Sequence, residues 1–522
     1  MRGFFQKTLI VDLSNRSYQT ELLTETFLRT CLGGKGLGTQ LLLERNPVGV
    51  APFSPESHLV IALGPATDSP VHGSCRYGIF AKSPLTGLYS ESYAGGSAAV
   101  AMSRTGCDAF IISGAADQPL WLEISDQTVA FHPADDLWGL DTFETEARLR
   151  KEIAADYPGI LVIGPAGENR VRFAIVKNDG WRVSGRTGMG AVLGSKKIKA
   201  IVFHGRRKRP FADPRGLKDY AKAKTCRTCF LACGKMAQVQ HGRHKGLTLE
   251  GPEYDTIHAF GGLCMVEDIK EIVYLNDLCD RMGLDIMSSG NLAAFAIEAA
   301  NRGKIDVQID YNQTDQIAAL LKKIVLRQDV GGLLAEGIRP ASEELGLEDL
   351  AVHAKGLEFS GYDPRILKGM GLAYAVTDRG ACHLRTTVYK PELSGLIDPD
   401  QIEKKAALFI DFEDRCTLYD TLIVCRFYRD LYPWEEISRI IELTTGMNLK
   451  KEALQNLALR VTDSTRRFNL REGLRVEENW LPRRLLSEEL PGGGRLRPED
   501  LQTLISDYYR LRGWLQNGRL AE

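Results

Sequence analysis

The chain contains no run of about 18 apolar residues, so no transmembrane span is indicated. Its formal net charge of -1 lacks the basic excess of a nucleic-acid surface, and nucleic acid is not expected as a partner. There is no Walker A loop, no short-period repeat and no low-complexity tract. The opening stretch, MRGFFQKTLIVDLSNRSYQT, carries charge but no long apolar run ending in a small-residue cleavage site; it reads as a strand and turn, and a cytoplasmic location is expected. Eleven cysteines in 522 residues do not make a disulfide scaffold, and their bunching suits a reducing compartment with bound metal. What remains, 44% hydrophobic and 25% charged, is ordinary globular composition, long enough for about two to four domains.

The bunched cysteines are Cys226, Cys229 and Cys233. Thiolates this close repel one another unless a soft cation neutralises them, which points to zinc or to an iron-sulfur cluster. The C-x-x-C-x-x-x-C spacing favours a cubane cluster with a fourth ligand from elsewhere in the chain; a zinc knuckle is the alternative on spacing alone. Cys31, Cys75, Cys107, Cys264, Cys279 and Cys416 are isolated in mostly apolar surroundings and read as small core residues, while Cys382 stands apart beside His383.

Up to about residue 208, short β-branched runs punctuated by glycine (TLIVDL, HLVIALG, RYGIFAKS, AFIISG, WLEIS, GILVIG, VRFAIV, KAIVFHG) predict strands and turns. Two helical stretches interrupt them: residues 22–45, and the segment from Asp141, where Glu144 three positions on signals a helix start. Beyond the RRKRPFADP stretch the periodicity becomes helical. The expected fold class is α+β: a β-sheet domain over 1–208, then two mainly helical domains over 209–352 and 353–522, the second boundary being the weaker.

Three glycine-rich stretches, residues 33–38, 93–97 and 185–190, offer unhindered N–H groups; each alone is a turn, but together with Arg76, Arg182 and Arg186 they suit a large anionic cofactor. Two related hexapeptides, Asp280-Arg-Met-Gly-Leu-Asp285 and Asp420-Thr-Leu-Ile-Val-Cys425, each close a helix-like run. A carboxylate so placed can accept hydrogen bonds from a pterin-like edge, or simply cap a helix. Their likeness suggests two equivalent ligands, with Cys425 as the fourth cluster ligand. Glu253, in Glu250-Gly-Pro-Glu253-Tyr254-Asp255-Thr-Ile-His258, and His383, in Arg379-Gly-Ala-Cys382-His383-Leu-Arg385, form a general acid/base pair if they meet in a cleft; singly they read as a surface residue and a core histidine.

Taken together, GGKGLG at 33–38, CRYGIFAKSPLTG at 75–87, SYAGGS at 92–97, RVSGRTGMGAVLGSKKIKAI at 182–201, CRTCFLACGK at 226–235, GPEYDT at 251–256, both hexapeptides, GMGLAYAVTDRGACHLR at 369–385 and YYRLRGW at 508–514 resemble the aldehyde ferredoxin oxidoreductases from end to end. The resemblance implies tungsten (or molybdenum) held by the dithiolenes of two pterins beside a 4Fe-4S cluster, with no protein ligand to the heavy metal. It assigns Asp280, Leu284 and Asp285 to one pterin and Asp420 and Val424 to the other. On the same resemblance Arg76 would lie between cluster and pterin, and Gly95, Arg182, Gly185 and Arg186 would surround the pterin phosphates. The carbonyls of Tyr93 and Val183 would ligate a bridging Mg2+, although the side chains differ from the family's usual Asn and Ala. Cys226, Cys229, Cys233 and Cys425 would hold the cluster.

The implied reaction converts an aldehyde and water to the carboxylic acid, two protons and two electrons. Glu253 would deprotonate water and His383 would assist at the developing oxyanion; electrons would leave through the cluster to ferredoxin or a ferredoxin-like subunit. The segment between residue 208 and Cys226 is short for the family, which leaves room for a different electron partner, whether the chain is a homodimer or part of a hetero-oligomeric complex. The alternatives are the active-site subunit of a larger tungsten-dependent reductase, like that of benzoyl-CoA reductase, and a non-catalytic electron-transfer subunit.

Overall fold

The computed structural model describes residues 1–224 and 233–521, so Cys226 and Cys229 lie outside the described residues. Contacts divide the chain into two units, one of Met1–Arg170, Ala174–Cys233 and Arg415–Thr465, the other of Val171–Phe173, Gly234–Asp414 and Arg466–Glu522.

The first unit is built on two mixed six-stranded sheets. One contains β1 (Lys7–Asp12), β2 (Ser17–Leu22), β3 (Leu59–Ala62), β4 (Arg76–Lys82), β5 (Tyr89–Gly95) and β6 (Ala109–Ser113) in the order β2-β1-β6-β3-β4-β5. The other contains β7 (Leu120–Ile124), β8 (Val129–Pro133), β9 (Gly159–Val162), β10 (Val176–Asn178), β11 (Arg182–Ser184) and β12 (Ile198–Phe203) in the order β11-β10-β9-β12-β7-β8. β3 is buried along its whole length, as its continuous apolar run requires, and so is β12, whose one charged residue, Lys199, is ion-paired with Glu168. Leu9, Ile79 and Phe110 of the first sheet and Leu122, Leu161 and Ile201 of the second share one core. Each such fully buried side chain stabilises the fold by about 1.5–3 kcal/mol. The predicted capping box is present: Asp141 accepts from the Glu144 N–H at 2.8 Å, and Glu144 accepts from the Asp141 N–H at 3.3 Å.

Two expectations change. The apolar run VRFAIV is not a strand until Val176. Before that point its backbone bonds go elsewhere: Arg172 N–H to the Ala335 carbonyl, and the Phe173 carbonyl to the Asp285 N–H. A helical run is also interrupted, at Leu32 (φ 61°), which separates the helix Glu25–Cys31 from Gly34–Arg45. Within the basic stretch after residue 205, Arg209 is buried, donating to Asp108 at 2.7 Å and to the Gly3 carbonyl at 3.0 Å.

The second unit is mainly helical, with the small hairpins Met236–Gln238/Thr248–Glu250 and His353–Ala354/Leu357–Glu358. Its longer helices include Ile269–Met282, Ile286–Asn301, Thr314–Leu326 and Pro498–Arg512, and the last packs on Lys368–Val376. The closing YYRLRGW motif is structural: buried Arg512 bridges Glu413 (2.5 Å) and Asp414 (2.8 Å), and Tyr508 Oη donates to the same Glu413 at 2.8 Å. Among the described residues, no helix is long and apolar enough to cross a membrane.

Candidate active site

In the first unit the glycine-rich stretch at 33–38 has a packing role that its sequence does not announce. A Cβ on Gly34 would stand 2.1 Å from the Asp420 carbonyl oxygen, and one on Gly64 would stand 2.3 Å from that of Leu422. These glycines let two backbones touch the hexapeptide Asp420–Cys425. There the helix Lys405–Leu422 ends, Ile423 turns left-handed (φ 62°), and the Val424 N–H bonds back to Tyr419 at 2.9 Å. The Cys425 N–H continues to the Gly73 carbonyl at 3.0 Å, three residues before Arg76.

Arg76 and Arg426 share one aromatic ring, their guanidinium carbons 5.9 and 5.8 Å from the centre of Tyr93. Arg76 also donates to the Tyr93 carbonyl at 3.4 Å, and Arg426 is ion-paired with Asp420. Behind the ring, Tyr93 Oη donates to Glu91 at 2.6 Å and buried Lys35 donates to the same carboxylate at 3.1 Å. Arg426, Glu91 and Lys35 were not among the residues singled out from sequence. No motif marks Arg426, whose role comes from the turn that brings it back onto Asp420. Nearby, Arg186, Thr187 and Gly188 are all left-handed (φ 60°, 52° and 87°), and two of them carry side chains. Such conformations cost about 1–3 kcal/mol each and persist at ligand clamps. Ser92 Oγ fixes this turn by donating to the Gly185 carbonyl at 2.7 Å. Two guanidiniums on one ring and a strained turn beside Arg182 fit an anionic group. The helix start after SYAGGS does not add to it, because Asp179 already accepts from the Ser97 N–H at 2.6 Å. Cys75 is exposed, unlike buried Cys31, Cys107, Cys264, Cys279 and Cys416; Cys425 is half-buried and Cys233 exposed.

In the second unit, the helix Ile269–Met282 ends at left-handed Gly283 (φ 77°), and the Leu284 N–H bonds back to Cys279 at 2.9 Å. Buried Asp280 accepts from Asn276 Nδ2 at 2.9 Å, and Asn276 Oδ1 accepts from Thr256 Oγ1 at 3.2 Å, tying the hexapeptide to the GPEYDT segment. Asp285 caps the next helix, accepting from the Ser288 N–H at 2.9 Å.

His383 is buried, with Nε2 3.5 Å from Asp255 Oδ2. Tyr362 lies over it at 5.4 Å between centroids and is itself stacked on Tyr389 at 4.1 Å. Glu253 is exposed, at the start of the short helix Tyr254–Thr256, and its side chain makes no capping bond. His383 thus meets Asp255, two residues further on, because a helical turn begins between the two acids and aims them differently. The sequence carried no signal for choosing between them. From Ile257 to Leu263 the backbone is π-helical, a form concentrated at functional sites. The carboxylate-imidazole pair under aromatic rings can hold and move a proton away from bulk water.

A family model for the N-terminal domain of aldehyde ferredoxin oxidoreductase matches residues 8–205, and one for its domains 2 and 3 matches 195–522. A tungsten-containing aldehyde ferredoxin oxidoreductase of Pyrococcus furiosus is 31% identical over 597 aligned positions, covering 100% of this chain and 98% of the relative. That alignment is longer than the 522-residue chain, so the relative carries segments absent here. The WOR-like subunit of an aliphatic sulfonate oxidoreductase from the same organism is 26% identical over 99% of this chain and 96% of its own. A chain of the active-site complex of a benzoyl-coenzyme A reductase, solved with 1,5-dienoyl-CoA, shares the fold with a TM-score of 0.87 at 21% identity, over 99% of this chain and 96% of its own. Matched along its whole length, the chain is an oxidoreductase and belongs to the aldehyde ferredoxin oxidoreductase family.

Proposed function

We propose that the protein oxidises an aldehyde to the carboxylic acid, R-CHO + H2O giving R-COOH + 2H+ + 2e-, and passes the electrons to ferredoxin or an iron-sulfur partner subunit. The observation that supports it most is the buried His383 facing Asp255 beneath Tyr362. A tungsten bis-pterin cofactor, when bound, supplies the acceptor for the two electrons. Each hexapeptide would hold one pterin, through Asp280, Leu284 and Asp285 in one unit and through Asp420 and Val424 in the other. Arg76, Gly95, Arg182, Gly185 and Arg186 would take the phosphates, and the Tyr93 and Val183 carbonyls would take Mg2+. Cys233 and Cys425, with Cys226 and Cys229, would ligate a 4Fe-4S cluster, which would supply one-electron chemistry toward the acceptor.

His383 would hydrogen-bond the oxygen on which negative charge develops, and the carboxylate 3.5 Å away would hold its ring and accept the proton of the attacking water. That role falls to Asp255 on geometry; exposed Glu253, the carboxylate favoured by sequence, would instead release protons to solvent. The experiment is anaerobic purification with metal analysis, followed by aldehyde turnover with a viologen dye. About one tungsten or molybdenum and four irons per chain are expected. Asp255→Asn and His383→Gln should keep the metals and lose about 10²–10⁴-fold in turnover, whereas Glu253→Gln should lose far less. Full activity of Asp255→Asn with an inactive Glu253→Gln would return the base to Glu253. Iron without either heavy metal would favour an electron-transfer subunit. The reductase-subunit reading is supported only by the shared fold, and no turnover of any aldehyde by fully metallated protein would favour it.

A further inference from the structure

Within the second unit a cavity of about 390 Å³ shares the ring of Tyr362 with the His383 pair. Its size is within the range of small-molecule sites, about 300–1,000 Å³. Phe295, Phe359 and Tyr362 give it aromatic walls, and His258 enters it from the π-helical turn. The close approach of His258 depends on Gly361, where a Cβ would stand 2.7 Å from the imidazole Cγ.

The charges of the lining select against anions. Three carboxylates, Glu298, Glu358 and Asp363, face two guanidiniums. Both guanidiniums are already engaged, Arg365 with Asp363 at 2.7 Å and Arg484 with Glu488 at 3.0 Å. Burial lowers the pKa of His258, which favours the neutral imidazole. A carboxylate, a sulfonate or the phosphates of coenzyme A would enter a net acidic pocket without an uncommitted cation.

Neutral hydrogen-bonding capacity is available instead. The His258 ring nitrogens make no hydrogen bond among the described residues. Asn291 uses its amide nitrogen on the Met287 and Phe359 carbonyls at 2.8 and 3.4 Å, leaving its amide oxygen as an acceptor. Aromatic walls with neutral donors and acceptors match a ring bearing hydroxyl groups.

Resting on the aldehyde-oxidising reading, we propose that this cavity is the specificity pocket, that His258 and Asn291 hydrogen-bond the substrate, and that it selects neutral, hydroxyl-bearing aldehydes of about one aromatic ring over anionic ones. The test compares kcat/KM of the holoenzyme for 3-hydroxybenzaldehyde, benzaldehyde and 3-formylbenzoate. One good hydrogen bond predicts about a tenfold preference for the hydroxyl compound over benzaldehyde, and repulsion places the carboxylate lowest. In His258→Phe the hydroxyl preference should fall toward one, and His258→Gln, which keeps a donor and an acceptor, should restore most of it. Calorimetry on the same holoenzyme with unreactive 3-hydroxybenzamide and benzamide reads the pocket without turnover; the same preference and the same loss in His258→Phe are expected. If aldehydes turn over but 3-formylbenzoate is preferred, or His258→Phe leaves both ratios unchanged, the pocket assignment is overturned while aldehyde oxidation stands. If no aldehyde turns over yet the benzamides are distinguished through His258, the pocket survives and the aldehyde reading fails.

Discussion

The hexapeptides Asp280–Asp285 and Asp420–Cys425, one in each unit, share a backbone and differ in charge. In both, a helix ends two residues after an aspartate, the fourth residue is left-handed, and the fifth N–H bonds at 2.9 Å to the carbonyl just before the aspartate, at Cys279 or Tyr419. In both, the sixth N–H reaches a distant carbonyl, Phe173 at 3.1 Å or Gly73 at 3.0 Å. Yet Asp280 receives a neutral amide from Asn276, whereas Asp420 receives the guanidinium of Arg426. The first ends in a helix-capping carboxylate and the second in a thiol. One helix-ending frame therefore presents two carboxylates in different electrostatic settings, and residues outside the repeated six decide which.

The sharpest way to break that comparison is to remove both aspartates in turn. Asp420→Ala leaves buried Arg426 without its carboxylate, and losing one partner of a buried ion pair costs about 3–5 kcal/mol. Asp280→Ala takes away the acceptor of the Asn276 amide, a neutral hydrogen bond whose loss costs about 1–3 kcal/mol. Urea unfolding of the two variants should separate them by about 2 kcal/mol. Equal losses would mean that the guanidinium does not distinguish the two sites.

Much of this frame was legible in the sequence, and the reasons differ by residue. The hexapeptides could be aligned because a helix end has few solutions, and both place Asp first and an apolar residue third and fifth. The capping box at Asp141 and Glu144 was readable because both partners are three residues apart. Partnerships that depend on the tertiary fold were not: the Arg426–Asp420 pair, the Tyr93–Glu91–Lys35 chain, and the approach of Asp255 to His383. The apolar run at 171–176 failed as a strand because apolarity reports burial, not which backbone receives the hydrogen bonds.

The glycines supply the remaining tests. Gly34→Ala drives a Cβ to 2.1 Å from the Asp420 carbonyl at a φ of +40°, and overpacking with left-handed strain should cost about 2–5 kcal/mol. An unchanged unfolding midpoint would show that the second hexapeptide is not buttressed by that glycine. At Gly283, with φ +77°, alanine should cost about 1–2 kcal/mol. Asparagine tolerates the left-handed region better than alanine, so Gly283→Asn should cost only about a few tenths to 1 kcal/mol. If asparagine costs as much as alanine or more, space rather than handedness limits that position. Ile423 then becomes the informative contrast, because a β-branched residue adopts the same hand at φ +62° while fully buried. Its packing offsets a strain of about 1–3 kcal/mol that a glycine would not carry. The frame is thus held by backbone freedom in one unit and by side-chain burial in the other.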